Sequence, residues 1–252
     1  MSRHLTILTG ASRGMGLAMA QQLLQPTDTL LCISRSEAPA LQGAADTAGC
    51  TLLQWQHDLA DGAGAAERLR EWLQRKSLDD FGSATLINNA GVLPRIAPLS
   101  ESDADELTKA LRVGLEAPML LTSAFLGETE HWLVPRKVLN ISSGLGRRAM
   151  ASQAAYCAAK AGMDHFTRCA ALDEAQKAHG AKLCSLAPGV IDTDMQVQLR
   201  STDPALFPDA ENFAQMKTTG SLATPEAAAA RVLEWLARED FGQQPVADVR
   251  DA

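Results

Sequence analysis

One tyrosine in 252 residues is the sharpest scarcity in this sequence, and other shortages narrow the possibilities further. Cysteine is sparse: Cys32, Cys50, Cys157, Cys169 and Cys184 are odd in number and form no Cys-x-x-Cys or histidine-rich spacing. Such a set suggests neither a disulfide framework nor a zinc site, so reduced thiols, a cytoplasmic setting and no metal are expected. Basic residues are the minority, 23 Lys and Arg against 30 Asp and Glu, and they are scattered. With a net charge of −7 there is no positive face for nucleic acid or an anionic membrane, so neither partner is expected. No apolar run reaches membrane-spanning length, and Met1-Ser2-Arg3-His4 leads into a strand without the apolar stretch and cleavage site of an export signal. Repeats and low-complexity stretches are missing too. What remains is a globular balance, 46% hydrophobic and 21% charged, in a length suited to one domain over 1–252.

Short apolar runs bounded by turns recur at 5–9, 29–34, 51–56, 84–88, 138–142 and 182–187, with longer helical patterns between them. This alternation predicts an α/β fold, a doubly wound parallel sheet of about seven strands with helices on both faces, and a ligand at the carboxyl ends of the strands. Long helices are expected over 102–125, with a kink at Pro118, and over 153–178; a last helix over 225–238 and a strand over 246–249 close the chain. The stretch 191–220 carries Pro204, Pro208 and Gly220 among large apolar residues and lacks periodicity. It reads as an active-site lid, with a structural flap packed on the core as the alternative.

The first strand runs into Gly10-Ala11-Ser12-Arg13-Gly14-Met15-Gly16 and then an amphipathic helix. Glycines at a strand-to-helix turn let backbone approach a pyrophosphate and aim helix amides at it, so Gly10, Ser12, Arg13, Gly14, Met15 and Gly16 are expected to bind a dinucleotide. The second strand ends in Ser34-Arg35, without the acid that would bind the ribose hydroxyls of NAD. Arg13 and Arg35 can flank a 2′-phosphate, which points to NADP(H); two exposed arginines beside unrelated acids are the alternative. Asp58-Leu59 follows the third strand, where an aspartate suits an adenine amino group or is simply a surface turn acid. Asn88-Asn89-Ala90-Gly91 closes the fourth. Its asparagines are expected to fasten neighbouring strands, with Asn89, Ala90 and Gly91 meeting the cofactor through backbone.

The single tyrosine, Tyr156, stands four residues before Lys160, which puts both on one helix face. A nearby ammonium favours phenolate and pulls the phenol down from about 10, as suits a proton donor to a carbonyl that is receiving hydride. The plain alternative is a helix surface with one amphipathic tyrosine and one solvated lysine.

With the glycine turn, Asn88-Asn89-Ala90-Gly91, Ser143, Tyr156-x-x-x-Lys160 and Pro188-Gly189 in this order, the chain resembles the short-chain dehydrogenase/reductase superfamily over essentially its full length. The resemblance implies a single Rossmann-type domain in which Tyr156 is the general acid, Lys160 holds the nicotinamide ribose and tunes Tyr156, and Ser143 polarises the carbonyl. It places Pro188, Gly189, Val190 and Ile191 along the nicotinamide and Thr193 at its carboxamide. The later segments, 188–196 and 219–222, look like the sepiapterin reductase and bacterial benzil reductase branch, which reduces vicinal dicarbonyls with NADPH. That branch implies substrate contacts from Met195 and Asp248, the latter being otherwise a terminal-strand residue facing water. The family also implies a homodimer or homotetramer, through the two long helices, although their apolar faces serve equally as core.

One departure stands out. Where the family usually carries a catalytic asparagine, this chain reads Arg112-Val113-Gly114-Leu115. Slower proton resupply to Lys160 is expected, and Gly114→Asn is expected to raise turnover. The sequence thus reads as an NADPH-dependent carbonyl reductase, with a non-catalytic dinucleotide sensor or a reductase of another substrate class as alternatives.

Overall fold

The computed structural model describes residues 3–77 and 79–251. In chain order its elements are β1 (His4–Thr9), α1 (Gly14–Gln22), β2 (Thr29–Ser34), α2 (Pro39–Ala48), β3 (Thr51–Gln56), α3 (Gly62–Gln74) and β4 (Ser83–Asn88). There follow α4 (Ala104–Leu111), α5 (Ala117–Glu128), β5 (Arg136–Ile141), α6 (Ala154–Ala175), β6 (Lys182–Ala187), α7 (Asp194–Arg200), α8 (Ala210–Thr218), α9 (Pro225–Ala237) and β7 (Val246–Asp248). All seven strands are parallel, in the order β3-β2-β1-β4-β5-β6-β7. The order reverses between β1 and β4, and a crevice at the carboxyl ends there is where a doubly wound sheet binds its ligand.

Strand pleating divides the core in two. Leu8, Leu30, Leu139 and Leu186 point to one face, under Met19 of α1, Leu41 of α2 and Val232 of α9. Leu5, Ile7, Leu31 and Leu86 point to the other, under Leu69 of α3 and Leu121 and Phe125 of α5. Both faces are covered, so the central strands read as continuous apolar runs, and each such buried leucine or isoleucine contributes about 1.5–3 kcal/mol.

The helix expected over 102–125 begins as its acids suggest, with Asp103 Oδ1 accepting the amides of Asp105 (2.9 Å) and Glu106 (3.0 Å). It is not one α-helix with a kink at Pro118. A π-helical turn, Arg112–Glu116, separates α4 from α5. Pro118 has no amide to give the carbonyl four residues back, that of Gly114, and its ring crowds that carbonyl; the wider turn just before it relieves both.

The stretch 191–220 is more regular than its composition suggests, because it contains α7 and α8. Phe207 and Ala210 pack with Ile96, supported by Leu93, Met150, Leu199 and Phe213. Asp192 ties the two helices, 3.1 Å from Arg200 Nη1 and 2.5 Å from Lys217 Nζ. Lys217, then Arg200, hold its carboxyl below the usual range.

Candidate active site

The glycine turn after β1 is locked from two sides. Thr9 Oγ1 accepts the amides of Asn89 (2.9 Å) and Ala90 (3.0 Å), and Asn89 Nδ2 donates to the carbonyls of Thr9 (3.0 Å) and Gly10 (3.2 Å). Gly10 takes φ +70°, and a Cβ on Gly16 would stand 2.0 Å from the Gly10 carbonyl oxygen and 2.5 Å from Asn89 Nδ2. Only glycine fits at 16, because α1 lies directly on this turn. Asn88 is buried deeper, donating to Asn140 Oδ1 (2.8 Å) and Thr122 Oγ1 (3.1 Å) across β5 and α5. Both asparagines therefore fasten elements together. So does Ser34: its buried hydroxyl accepts the Ala11 amide at 2.8 Å, tying the end of β2 to the turn and leaving its O–H to donate elsewhere.

A dinucleotide fits this cradle. No side chain caps α1 and no acid stands in its first turn, so its leading amides face an anion unopposed. At Gly91 an added Cβ would meet only Met195 Cε at 3.7 Å and Lys160 Nζ at 4.0 Å, so the glycine keeps open the space between turn and lysine. Of the two arginines, Arg35 is exposed at the end of β2, whereas Arg13 reaches across to Asp194 at 2.7 Å, an exposed pair. Asp58 is exposed after β3, its Oδ1 accepting the Ala60 amide at 3.0 Å, and Leu59 beside it is buried. Ser12 is half-buried, Met15 buried. Gly189, after β6, takes φ +85° between buried Pro188 and exposed Val190. Ile191 pairs with Ala223, and Thr193 Cγ2 stands 3.7 Å from where Gly14 would carry a Cβ. Residues 193–195 thus lie over the glycine turn and Gly91.

Ser143, Tyr156 and Lys160, the residues expected to act in proton transfer, come from the end of β5 and from α6. Ser143 stands just past β5, its Oγ accepting the Leu145 amide at 3.1 Å. Tyr156 and Lys160 share a face of α6, with Lys160 Nζ 5.7 Å from the phenol ring centroid. Here the sequence expectation needs correction. The Tyr156 phenol is raised above its ordinary value, not lowered: burial dominates, and the Ser143 hydroxyl offsets it only in part. The lysine does not dominate because it is itself desolvated. Lys160 is buried, donates to the Ile141 carbonyl at 2.7 Å, and is lowered to about 8 by burial, against the raising effect of Asp164.

Asp164, one turn beyond Lys160, was not singled out from sequence. It is buried and accepts Ser142 Oγ (2.5 Å) and Ser185 Oγ (2.7 Å) on Oδ1 and Arg147 Nε (3.1 Å) on Oδ2. It therefore fixes the ends of β5 and β6 to the helix that carries Tyr156 and Lys160. A Cβ on Gly146 would come within 2.9 Å of Asp164 Oδ2, so glycine there lets the turn after Ser143 close on α6. The one sequence signal was the four-residue step from Lys160 to an acid.

Short chain dehydrogenases as a family match residues 4–204. The chain belongs to that family. Among its relatives, benzil reductase ((S)-benzoin forming) of Bacillus cereus is 36% identical over 240 residues, 95% of this chain and 96% of the relative. Sepiapterin reductase of Meriones unguiculatus is 31% identical over 247 residues, 93% and 92% of the two chains. Among solved structures, a putative NAD(P)-dependent gluconate 5-dehydrogenase of Beutenbergia cavernae with bound NADP superposes with TM-score 0.80 at 26% identity, covering 98% of this chain and 94% of that one. This short chain dehydrogenase is accordingly a Rossmann-fold oxidoreductase.

At the carboxyl end of its sheet, Asp248 is not free. Arg250 forks onto it, Nε to Oδ1 at 2.7 Å and Nη2 to Oδ2 at 2.6 Å, and the Arg250 amide adds 3.0 Å. Arg250, the largest influence, holds the carboxyl below its usual range. Gly114 also meets an obstacle absent from sequence reasoning: a Cβ there would stand 3.0 Å from that of Ala159, the residue before Lys160. Glycine lets the π turn approach α6. An asparagine would push on the catalytic helix, so the expected gain from Gly114→Asn is replaced by an expected loss.

Proposed function

We propose that this chain is an NADPH-dependent carbonyl reductase of small ketones, vicinal dicarbonyls foremost. The carrying observation is the placement of the Tyr156 phenol: half-buried, beside the Ser143 hydroxyl, on the same face of α6 as the buried Lys160, whose Nζ is 5.7 Å from the ring centroid, and held above its ordinary value chiefly by desolvation. Tyr156 donates a proton to the carbonyl oxygen. A phenol whose pKa lies above 10 is fully protonated at neutral pH, and the oxygen it serves becomes far more basic as the carbonyl is reduced. Ser143 donates to the same oxygen and stabilises the charge that develops there. Lys160, charged in neutral solution and held by its hydrogen bond to the Ile141 carbonyl, stabilises phenolate once the proton has gone, and solvent reprotonates the phenolate before the next turnover. The glycine turn, Gly91, Pro188–Ile191 and Thr193 would hold a reduced nicotinamide cofactor, which would supply the hydride.

The choice of NADP rests on Arg35 and Arg13, with no acid at the end of β2; Arg13 exchanges Asp194 for the 2′-phosphate. Benzil reductase at 36% identity supports the substrate class. The segment 191–220 acts as a lid, since 193–195 already touch the cradle. Substrate contacts from Met195 are secondary to its place against Gly91. A homodimer or homotetramer is proposed through α4, α5 and α6, which leave Leu111, Met119 and Leu172 exposed, and a cytoplasmic setting fits five free cysteines.

The test compares wild type and Tyr156→Phe for benzil-dependent loss of NADPH absorbance, with NADH as control cofactor. Turnover preferring NADPH and reduced by orders of magnitude in the variant, with NADPH binding retained, supports the reading. Undiminished turnover in the variant overturns the role of Tyr156. NADPH binding without turnover across a panel of ketones would instead favour a dinucleotide sensor.

A further inference from the structure

We infer that Arg250 orients the substrate: its guanidinium, braced by Asp248 beside the Ser143-Gly144 turn, binds a second oxygen of the ketone, the neighbouring carbonyl of a vicinal dicarbonyl. The inference rests on the reductase reading above and assigns the group that distinguishes a diketone from a plain ketone.

Arg250 is held in place although its side chain is 65% exposed. The fork onto Asp248 occupies Nε and one N–H of Nη2, leaving both N–H groups of Nη1 and one of Nη2 without use in that pair. The segment beneath is fixed as well. The Val249 amide donates to the Ala187 carbonyl at 3.0 Å, and Arg147 donates through Nη2 to the Ala247 carbonyl at 2.8 Å while its Nε holds Asp164. One polar network thus sets the position of β7 relative to α6, and with it the position of Arg250 relative to Tyr156 and Lys160.

The guanidinium lies beside the turn that follows Ser143. Arg250 Nη2 is 4.0 Å from where Gly144 would carry a Cβ, and Gly144 directly follows Ser143. A side chain at 144 would lie against Arg250, and glycine leaves that approach open. Val249 Cγ2 comes within 3.8 Å of the corresponding position on Gly189, so the same short segment also borders the turn after β6. What the segment just after β7 presents here is a set of hydrogen-bond donors with a positive charge, because the Asp248 carboxylate is buried and already matched. Donors of this kind recognise an acceptor oxygen, and Arg does so with a rigid plane that fixes the orientation of the group it meets. In a 1,2-diketone one oxygen goes to Ser143 and Tyr156 and the adjacent one is left for Arg250.

The experiment measures kcat/KM with NADPH for benzil and for deoxybenzoin, which replaces one carbonyl of benzil by a methylene. Wild type is compared with Arg250→Met, which keeps the stem and removes the donors, and Arg250→Lys, which keeps the charge and loses the fork. Loss of one charge-assisted hydrogen bond corresponds to a drop of about 10- to 100-fold for benzil in Arg250→Met. Deoxybenzoin should change little, so the benzil-to-deoxybenzoin ratio collapses, with only partial recovery in Arg250→Lys. Because Arg250→Met strands a buried carboxylate, the double variant Asp248→Asn/Arg250→Met is measured alongside and should show the same collapse. An unchanged ratio in correctly folded variants overturns the inference while leaving the reductase reading standing. Wild-type failure on both ketones removes that reading, and the inference with it.

Discussion

Replacing Asp164 by asparagine tests whether the network behind α6 sets both stability and the charge on Lys160. The carboxylate accepts two serine hydroxyls at 2.5 and 2.7 Å and the Arg147 guanidinium at 3.1 Å. Asparagine keeps the shape and one acceptor oxygen, but turns an N–H group towards a guanidinium that can only donate. Breaking a buried charge pair from one side costs about 3–5 kcal/mol; Arg147 remains partly hydrated, so a reduced cost of about 2–4 kcal/mol is expected here. For a chain of this length each kcal/mol shifts the midpoint by about 2–4 °C, so scanning calorimetry should find unfolding roughly 5–15 °C lower. The second readout is electrostatic. Asp164 is the group that raises Lys160 against burial, so without it the lysine titrates below its present value of about 8. The basic limb of the kcat profile attributable to Lys160 should therefore move to lower pH. A midpoint within about 2 °C of wild type together with an unmoved limb would refute the reasoning.

Other perturbations have equally definite expectations. Gly114→Asn should lower both turnover and unfolding midpoint because its Cβ meets Ala159 at 3.0 Å; adding Ala159→Gly should recover part of the turnover, and a single variant faster than wild type would contradict the packing account. Gly16→Ala should weaken NADPH binding at least tenfold in a fluorescence titration, its Cβ having to displace the Gly10 carbonyl or Asn89, a strain of about 1–3 kcal/mol. Lys160, lowered to about 8 in the fold against about 10.4 in an open chain, binds fewer protons folded than unfolded between those values. Stability contributed by this group therefore rises with pH across that window, by about 3 kcal/mol in full. Denaturant titrations from pH 8 to 10 should show the rise in wild type and its absence in Lys160→Met; parallel curves would contradict the burial of the charge.

Much of the sheet was legible because both its faces are covered. The runs at 29–34 and 182–187 coincide with β2 and β6, since strands sandwiched between helices carry their burial in a continuous apolar stretch, and 51–56 coincides with the edge strand β3 although that strand is only partly buried. The glycine turn was legible for a similar reason, that backbone approach demands small residues at fixed offsets. The π turn was not, because it depends on Pro118 meeting the carbonyl of Gly114, a matter of helical register rather than composition. The partners of Ser34, Asp164 and Arg13 were also hidden. Ser34 answers an amide in the preceding loop, Asp164 gathers groups from β5, β6 and the turn after Ser143, and Arg13 meets a residue 181 positions away. Such partners are set by which strands end side by side, which no local pattern encodes. The phenol at Tyr156 was placed correctly on its helix face, but the sign of its shift was not accessible, because a spacing of four residues carries no information about burial.

The most direct measurement follows the hydride. Wild-type protein is given benzil and NADPH deuterated on both faces at C4 of the nicotinamide, and the product is quenched early and examined by mass spectrometry. The expected result is benzoin carrying one deuterium at its carbinol carbon, formed at a rate that Tyr156→Phe reduces by orders of magnitude. Benzoin without deuterium, or no reduced product while the cofactor is bound, would contradict the assignment of this cleft to ketone reduction.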